Sequence, residues 1–259
     1  MLELKNITVD FSLKNSPLSS EKQVLRAVDN VSLKINDNEV LGLVGESGCG
    51  KTTLGKTAIR LINPASGRII LDGNDITDIS FGGLKKYRSK MQIIFQDPIS
   101  SLNPRQTIFD ILEEPLKIHT KFDKIERKNE IERLIDCVGI AKNSLNRYPH
   151  QFSGGQCQRI SIARALSVKP KLIIADEPVS SLDVSIQAQI LNLMQDLKNE
   201  FMLSYLFISH DLAVINHIAD RVAVMYMGKI VEEGDCEEVV NNPKNEYTKI
   251  LLDAVPRLQ

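Results

Sequence analysis

A short apolar run, Val40-Leu41-Gly42-Leu43-Val44, leads directly into Gly45-Glu46-Ser47-Gly48-Cys49-Gly50-Lys51-Thr52-Thr53. The first part has the composition of a strand buried on both faces of a parallel sheet. The stretch from Thr52 to Leu61 reads as a helix. Between them lies the pattern G-x-x-x-x-G-K-[ST], a glycine-rich turn joining a strand to a helix. Gly45, Gly48 and Gly50 let several backbone N–H groups turn inward together. The helix start adds partial positive charge. Such a loop cradles phosphate. Lys51 would reach the β- and γ-phosphates and the Thr52 hydroxyl would ligate Mg²⁺, with Glu46, Ser47, Cys49 and Thr53 completing the cradle. A chain built around this unit is expected to be α/β, with ATP and Mg²⁺ as its ligands.

A second apolar run, Leu172-Ile173-Ile174-Ala175, ends in Asp176-Glu177-Pro178. Open α/β sheets bind ligands at the C-terminal ends of their strands. Asp176 would hold Mg²⁺, directly or through water. Glu177 would then be free to activate an attacking water. Two carboxylates can also simply begin a solvated turn; the phosphate loop in the same chain favours the chemical role.

Ser153-Gly154-Gly155-Gln156 opens an apolar helical pattern, Ile160, Ile162, Ala163, Ala165 and Leu166. Ser153 is an N-cap candidate, and the two glycines leave bare N–H groups at a positive helix end. One nucleotide cannot fill both this site and the phosphate loop if they lie far apart. A head-to-tail dimer resolves this, because each molecule's second site closes on its partner's nucleotide. The alternative is a glycine-softened helix start.

With these strings in this order, nearly the whole chain resembles the nucleotide-binding subunits of ABC transporters. The resemblance implies a phosphate-loop NTPase (RecA-like) core with an antiparallel β subdomain and an inserted α-helical subdomain. It makes Asp176 and Glu177 the Walker B aspartate and the catalytic glutamate, and Ser153 to Gln156 the signature motif. Gln96 matches the Q-loop glutamine, a metal and catalytic ligand. Ser181-Leu182-Asp183 matches the D-loop, and His210 matches the switch histidine. Phe11 falls where the family stacks an aromatic ring on adenine; a place in the core is the alternative. Gln96 and His210 each follow an apolar run, so each would sit at a ligand-binding strand end.

Composition narrows the partners. The 259 residues carry 32 basic and 33 acidic side chains. No basic tract stands out, so nucleic acid is not an expected partner. No apolar run approaches the roughly 18 residues of a spanning helix. The Met-Leu-Glu-Leu-Lys-Asn start is strand-like and unlike a signal peptide. The expected location is the cytoplasmic face of the cell membrane, held there by other proteins. The 4 cysteines are scattered, without metal or disulfide spacing. Cys49, inside the loop, is a point where thiol modifiers would block nucleotide binding.

The expected organisation is a β subdomain with the first half of the core over residues 1–97, and a helical subdomain over 98–166. The second half of the core follows over 167–235, then a C-terminal tail over 236–259. Lys14–Ser20 reads as a loop. Segments 106–118 and 124–138 read as helices, and residues 222–234 as a hairpin turning at Met227-Gly228-Lys229.

Several strings resemble the importers of peptides and nickel: Gly45 to Lys51, Ser101-Leu102-Asn103-Pro104-Arg105, and the tail Asn242 to Lys249, which has Glu246 where a His-Pro pair is usual. Cys157 replaces a more usual arginine. The cysteine-rich extension of many peptide-importer subunits is absent, leaving a nickel or metallophore importer as the alternative. A soluble ABC-type ATPase of DNA repair or translation is the distant one. The resemblance implies an ATP-dependent dimer with itself or a similar subunit, two transmembrane permeases, and an extracytoplasmic binding protein. The permease contact is expected on residues 97–118, where Ile99, Leu102, Ile108 and Phe109 would be exposed beside Arg105. Packing of these side chains inside the helical subdomain is the alternative.

Overall fold

The computed structural model describes residues 1–13 and 23–253. The loop read at Lys14–Ser20 lies outside the described residues. The chain divides into two compact units, Met1–Leu84 with Ser204–Gln259, and Lys85–Leu203.

The first unit opens with β1 (Leu2–Leu13) and β2 (Gln23–Ile35), an antiparallel pair. Core-facing residues in β1 are Leu2 and Leu4, then Ile7 and Val9. The alternation slips by one residue at Asn6, which takes a left-handed φ of 52°. β2 slips likewise at Asn30, φ 54°, between Val28 and Val31. An unslipped strand would turn half of these side chains to solvent; the paired bulges keep them all inward. Asn6 Nδ2 donates to Asn30 Oδ1 at 3.0 Å across the slip. Next come β3 (Val40–Val44), α1 (Lys51–Ala58), β4 (Ser66–Leu71), β5 (Asn74–Asp75) and α2 (Phe81–Arg88). β4 pairs with β1 and β5, giving the antiparallel order β2-β1-β4-β5.

The second unit holds β6 (Met91–Ile94), α3 (Pro98–Ser101), α4 (Ile108–His119), α5 (Lys124–Cys137), α6 (Gly154–Leu166), β7 (Leu172–Asp176) and α7 (Val184–Phe201). β6 and β7 pair in parallel, Ile94 against Ala175. The helices begin where local caps dictate. Thr107 and Asp110 form a reciprocal capping box at α4, and Asp123 and Glu126 form another at α5. Inward faces Ile108, Ile111, Leu112 and Leu116 of α4 and Ile131, Leu134 and Ile135 of α5 are buried.

The chain returns to the first unit with β8 (Ser204–Ser209), α8 (Leu212–Ile218), β9 (Arg221–Tyr226), β10 (Lys229–Asp235), α9 (Cys236–Asn241) and α10 (Glu246–Asp253). β3 lies between β8 and β9, parallel to both, and β10 pairs antiparallel with β9. The β9–β10 turn falls at Met227 and Gly228, as the sequence suggests. Every residue of β3 and β8 is buried. No helix among the described residues is long and apolar enough to cross a membrane.

Candidate functional site

The phosphate loop leaves the buried strand β3 and enters α1 at Lys51. Gly50 caps the helix with φ 110°, a left-handed conformation that favours glycine. A Cβ on Gly50 would overlap the Ala27 carbonyl of β2, and one on Gly45 would overlap the Met225 carbonyl of β9. The loop is therefore pressed between two strands, and its shape depends on the missing side chains. No side chain caps the start of α1, and its first turn holds no acid. Lys51 is 4% exposed, with Nζ donating to Gly45 O at 2.7 Å and Glu46 O at 2.8 Å. A buried ammonium beside an uncapped helix start is a fit for a phosphate chain. The Thr52 side chain offers a hydroxyl oxygen, a donor of the kind Mg²⁺ takes.

Burial raises the pKa of the Cys49 thiol, against the pull of the nearby Lys51 ammonium. The thiol is therefore less prone to form the reactive thiolate, which makes Cys49 a poorer target for modifiers than its position alone suggests.

Two further candidates lie on the first unit. His210 follows β8 and is exposed, just before Asp211, whose carboxylate caps α8 through Ala213 N–H at 2.7 Å. Phe11 sits on β1 opposite Leu25 and is 39% exposed, so the sheet leaves much of its ring accessible.

The second unit carries the acidic pair and the tetrad. β7 delivers Asp176, 4% exposed, at its C-terminal end. Glu177 then takes a left-handed φ of 48°, which turns the chain off the strand direction. Gln96 Nε2 donates to Glu177 Oε2 at 3.0 Å, so the two candidates share one small polar cluster. At α6, Ser153 Oγ accepts from Gln156 N at 3.3 Å while Gln156 Oε1 accepts from Ser153 N at 3.0 Å. Ser153 is thus the N-cap that the sequence suggests, and Gln156 completes its capping box. A Cβ on Gly154 would meet only Leu182 Cδ2 at 3.5 Å, whereas one on Gly155 would press on Ile186 Cγ2 at 2.6 Å. Of the two glycines, only Gly154 has room for a side chain.

The expected exposure over residues 97–118 is corrected in part. Ile99 is 54% exposed and Arg105 is exposed, but Leu102 and Ile108 are fully buried and Phe109 is half-buried. The apolar face of α4 packs within its own unit, and its first amides, of Ile108 and Phe109, donate to Arg147 O and Leu145 O, both at 2.9 Å. What remains is a cavity of about 390 Å³ whose lining includes Gln106, Ile111, Pro115, Ile118, His119 and Arg164.

The sequence gives no hint of one contact in this site. Tyr247 on α10 accepts a hydrogen bond from Glu46 N at 3.0 Å. In the sequence, the tail string around Tyr247 stands out only by its resemblance to a family motif.

A family model described as ABC transporter matches residues 28–180. The oligopeptide transport ATP-binding protein AppF of Bacillus subtilis is 50% identical over 257 residues, covering 99% of this chain and 78% of that protein. OppF of Salmonella typhimurium, described in the same words, is 49% identical over 259 residues, with the same coverage of 99% and 78%. Among solved structures, the dimeric post-hydrolysis state of the ATP-binding cassette MJ0796 bound to ADP and Pi has a TM-score of 0.81 at 28% identity, covering 91% of this chain and 99% of that one. The protein cbiO1 of Clostridium perfringens has a TM-score of 0.79 at 26% identity, covering 93% and 90%. Matched along almost its full length in sequence and in fold, the chain belongs to the ABC transporter family and has its phosphate-loop ATPase fold.

Proposed function

We propose that the chain is the ATP-hydrolysing subunit of an importer for di- or oligopeptides, working at the cytoplasmic face of the membrane. The observation that carries this is the 50% identity to an oligopeptide transport ATP-binding protein over 99% of the chain. Two copies, or this chain and a similar one, would close head to tail on two ATP molecules, and two permease subunits would carry the peptide delivered by an external binding protein.

Each residue then has a task. The N–H groups from Gly45 to Thr53 hold the phosphates, Lys51 neutralises their charge, and Phe11 stacks on adenine. Thr52, Asp176 and Gln96 hold Mg²⁺, which offsets charge on the β- and γ-phosphates when bound. Glu177 accepts a proton from the attacking water. His210 donates to the γ-phosphate, and Ser153 to Gln156 face the partner's nucleotide. The cavity beside α4, lined by Gln92, Asn103, Gln106, Glu114, His119 and Arg164 with exposed Ile118, suits an amphipathic segment of a permease that pairs polar groups with one apolar anchor.

Uptake of a labelled oligopeptide by cells lacking the chain tests this proposal. Restoration by the parent but not by Lys51→Ala is the expected result. Unchanged peptide uptake with lost nickel accumulation would transfer the assignment to a metal importer.

A further inference from the structure

The Gly45–Glu46 peptide is held from both ends. Its carbonyl accepts from Lys51 Nζ at 2.7 Å, and its N–H donates to Tyr247 Oη at 3.0 Å. The C=O and N–H of a trans peptide point in opposite directions. Lys51 and Tyr247 therefore grip one rigid plane from opposite sides. Any tilt of that plane moves the carbonyl that anchors the Lys51 ammonium.

Tyr247 lies 201 residues farther along the chain than Glu46. It is fixed at that distance by a latch in the tail. Glu232 on β10 accepts from Lys244 N at 2.8 Å and from Asn245 N at 3.0 Å, one amide to each carboxylate oxygen. Asn245 Oδ1 in turn accepts from Tyr247 N at 2.9 Å, setting the start of α10. The Tyr247 ring rests against the Tyr226 ring, 4.2 Å between centroids at 37°. Tyr226 follows Met225, whose carbonyl abuts Gly45. Strand β9 and helix α10 thus brace the same two loop residues, one by close approach and one by a hydrogen bond.

We propose that Tyr247 is a positioning residue for ATP binding: its hydroxyl fixes the Gly45–Glu46 peptide and, through that carbonyl, the direction of Lys51. This rests on the assignment of Gly45 to Thr53 as the ATP phosphate site. Tyr247 meets the loop at a backbone amide and acts through it, so its loss weakens ATP binding and spares the chemical step. It also makes the tail a lever on nucleotide affinity, since whatever shifts α10 shifts the loop.

Tyr247→Phe keeps the ring stack and removes only the hydroxyl. In the full chain, the dissociation constant and KM for Mg-ATP should rise about three- to tenfold, as expected for losing one hydrogen bond of ordinary strength. The kcat should be unchanged, and the nucleotide-free unfolding midpoint should fall by no more than the roughly 2–4 °C that one hydrogen bond supplies. An unchanged KM would overturn the proposal, as would a weaker affinity accompanied by a much larger fall in the midpoint, which would make Tyr247 a packing residue only. Lys51→Ala in the same assays separates the two layers. If it binds ATP as the parent does, the phosphate-site assignment itself fails. If it loses ATP while Tyr247→Phe binds normally, only the role of Tyr247 fails.

Discussion

Glu177→Gln separates chemistry from structure, because the two costs differ greatly in size. The carboxylate accepts from Gln96 Nε2 at 3.0 Å. A glutamine of the same shape can still present its carbonyl oxygen there. At this contact the change replaces a hydrogen bond to a charged acceptor with one to a neutral acceptor, a loss of about 1 kcal/mol. That amounts to a drop of roughly 2–4 °C in unfolding midpoint for a chain of this size. Losing the proton acceptor for water should instead cost about 10²–10⁴-fold in turnover, or roughly 3–5 kcal/mol in the barrier. The assays are phosphate release at saturating ATP, equilibrium ATP binding and thermal unfolding on the same preparation. The expected pattern is near-normal binding, a small shift in unfolding and almost no turnover, with an ATP-dependent dimer accumulating on size exclusion. Turnover within about threefold of the parent would remove Glu177 as the base.

Gly154→Asp should fold, since a Cβ there meets Leu182 only at ordinary contact distance. It should bind ATP as a monomer and fail to dimerise on light scattering, because its carboxylate would face a γ-phosphate; normal dimerisation would reduce the tetrad to a helix start. Arg105→Glu and Ile118→Asp alter exposed positions and should leave ATP hydrolysis by the isolated chain intact while peptide uptake by the assembled transporter fails. Equal loss in both assays would indicate misfolding, and no loss in either would move the permease contact elsewhere. Burial works to raise the Glu232 carboxyl pKa, but the Lys244 and Asn245 amides, with the Lys244 charge, outweigh it and hold the carboxyl below the usual range. A lowered folded pKa contributes stability in full above the unfolded value of about 4.3, and that contribution is lost as pH falls through the folded value. The difference in unfolding midpoint between parent and Glu232→Gln should accordingly be largest near neutral pH and shrink in acid; a difference that grows in acid would contradict the latch.

What could be read from the sequence was local. The strand β3, the loop and the start of α1 are written in adjacent residues, and so are the caps of α4, α5 and α6, where a side chain binds an amide within the next turn. The end of α1 was less legible. The helical pattern runs to Leu61, yet the helix stops at Ala58, and Arg60 takes a left-handed φ of 56° where a glycine would signal the stop. Leu61 N closes the end on Lys56 O at 2.9 Å. Leu102 and Ile108 were misjudged as exposed because burial depends on what packs across from a residue, and their neighbours are distant in sequence. The brace of Tyr247 on Glu46 lies at the far end of that scale, since no window of sequence contains both.

The left-handed backbone at Glu177 bears on how such a chain would change under relaxed selection. A side chain with a Cβ pays roughly 1–2 kcal/mol to stand there, and strain of this kind is tolerated at functional sites. Asparagine and glycine adopt the same conformation more easily. A duplicated copy freed from hydrolysis, for instance one paired with an active partner, would drift toward these residues at this position, gaining stability as it lost turnover. Parent and Glu177→Asn, compared by thermal unfolding, would show that drift in one step: a midpoint at or above the parent's, in a protein that no longer releases phosphate.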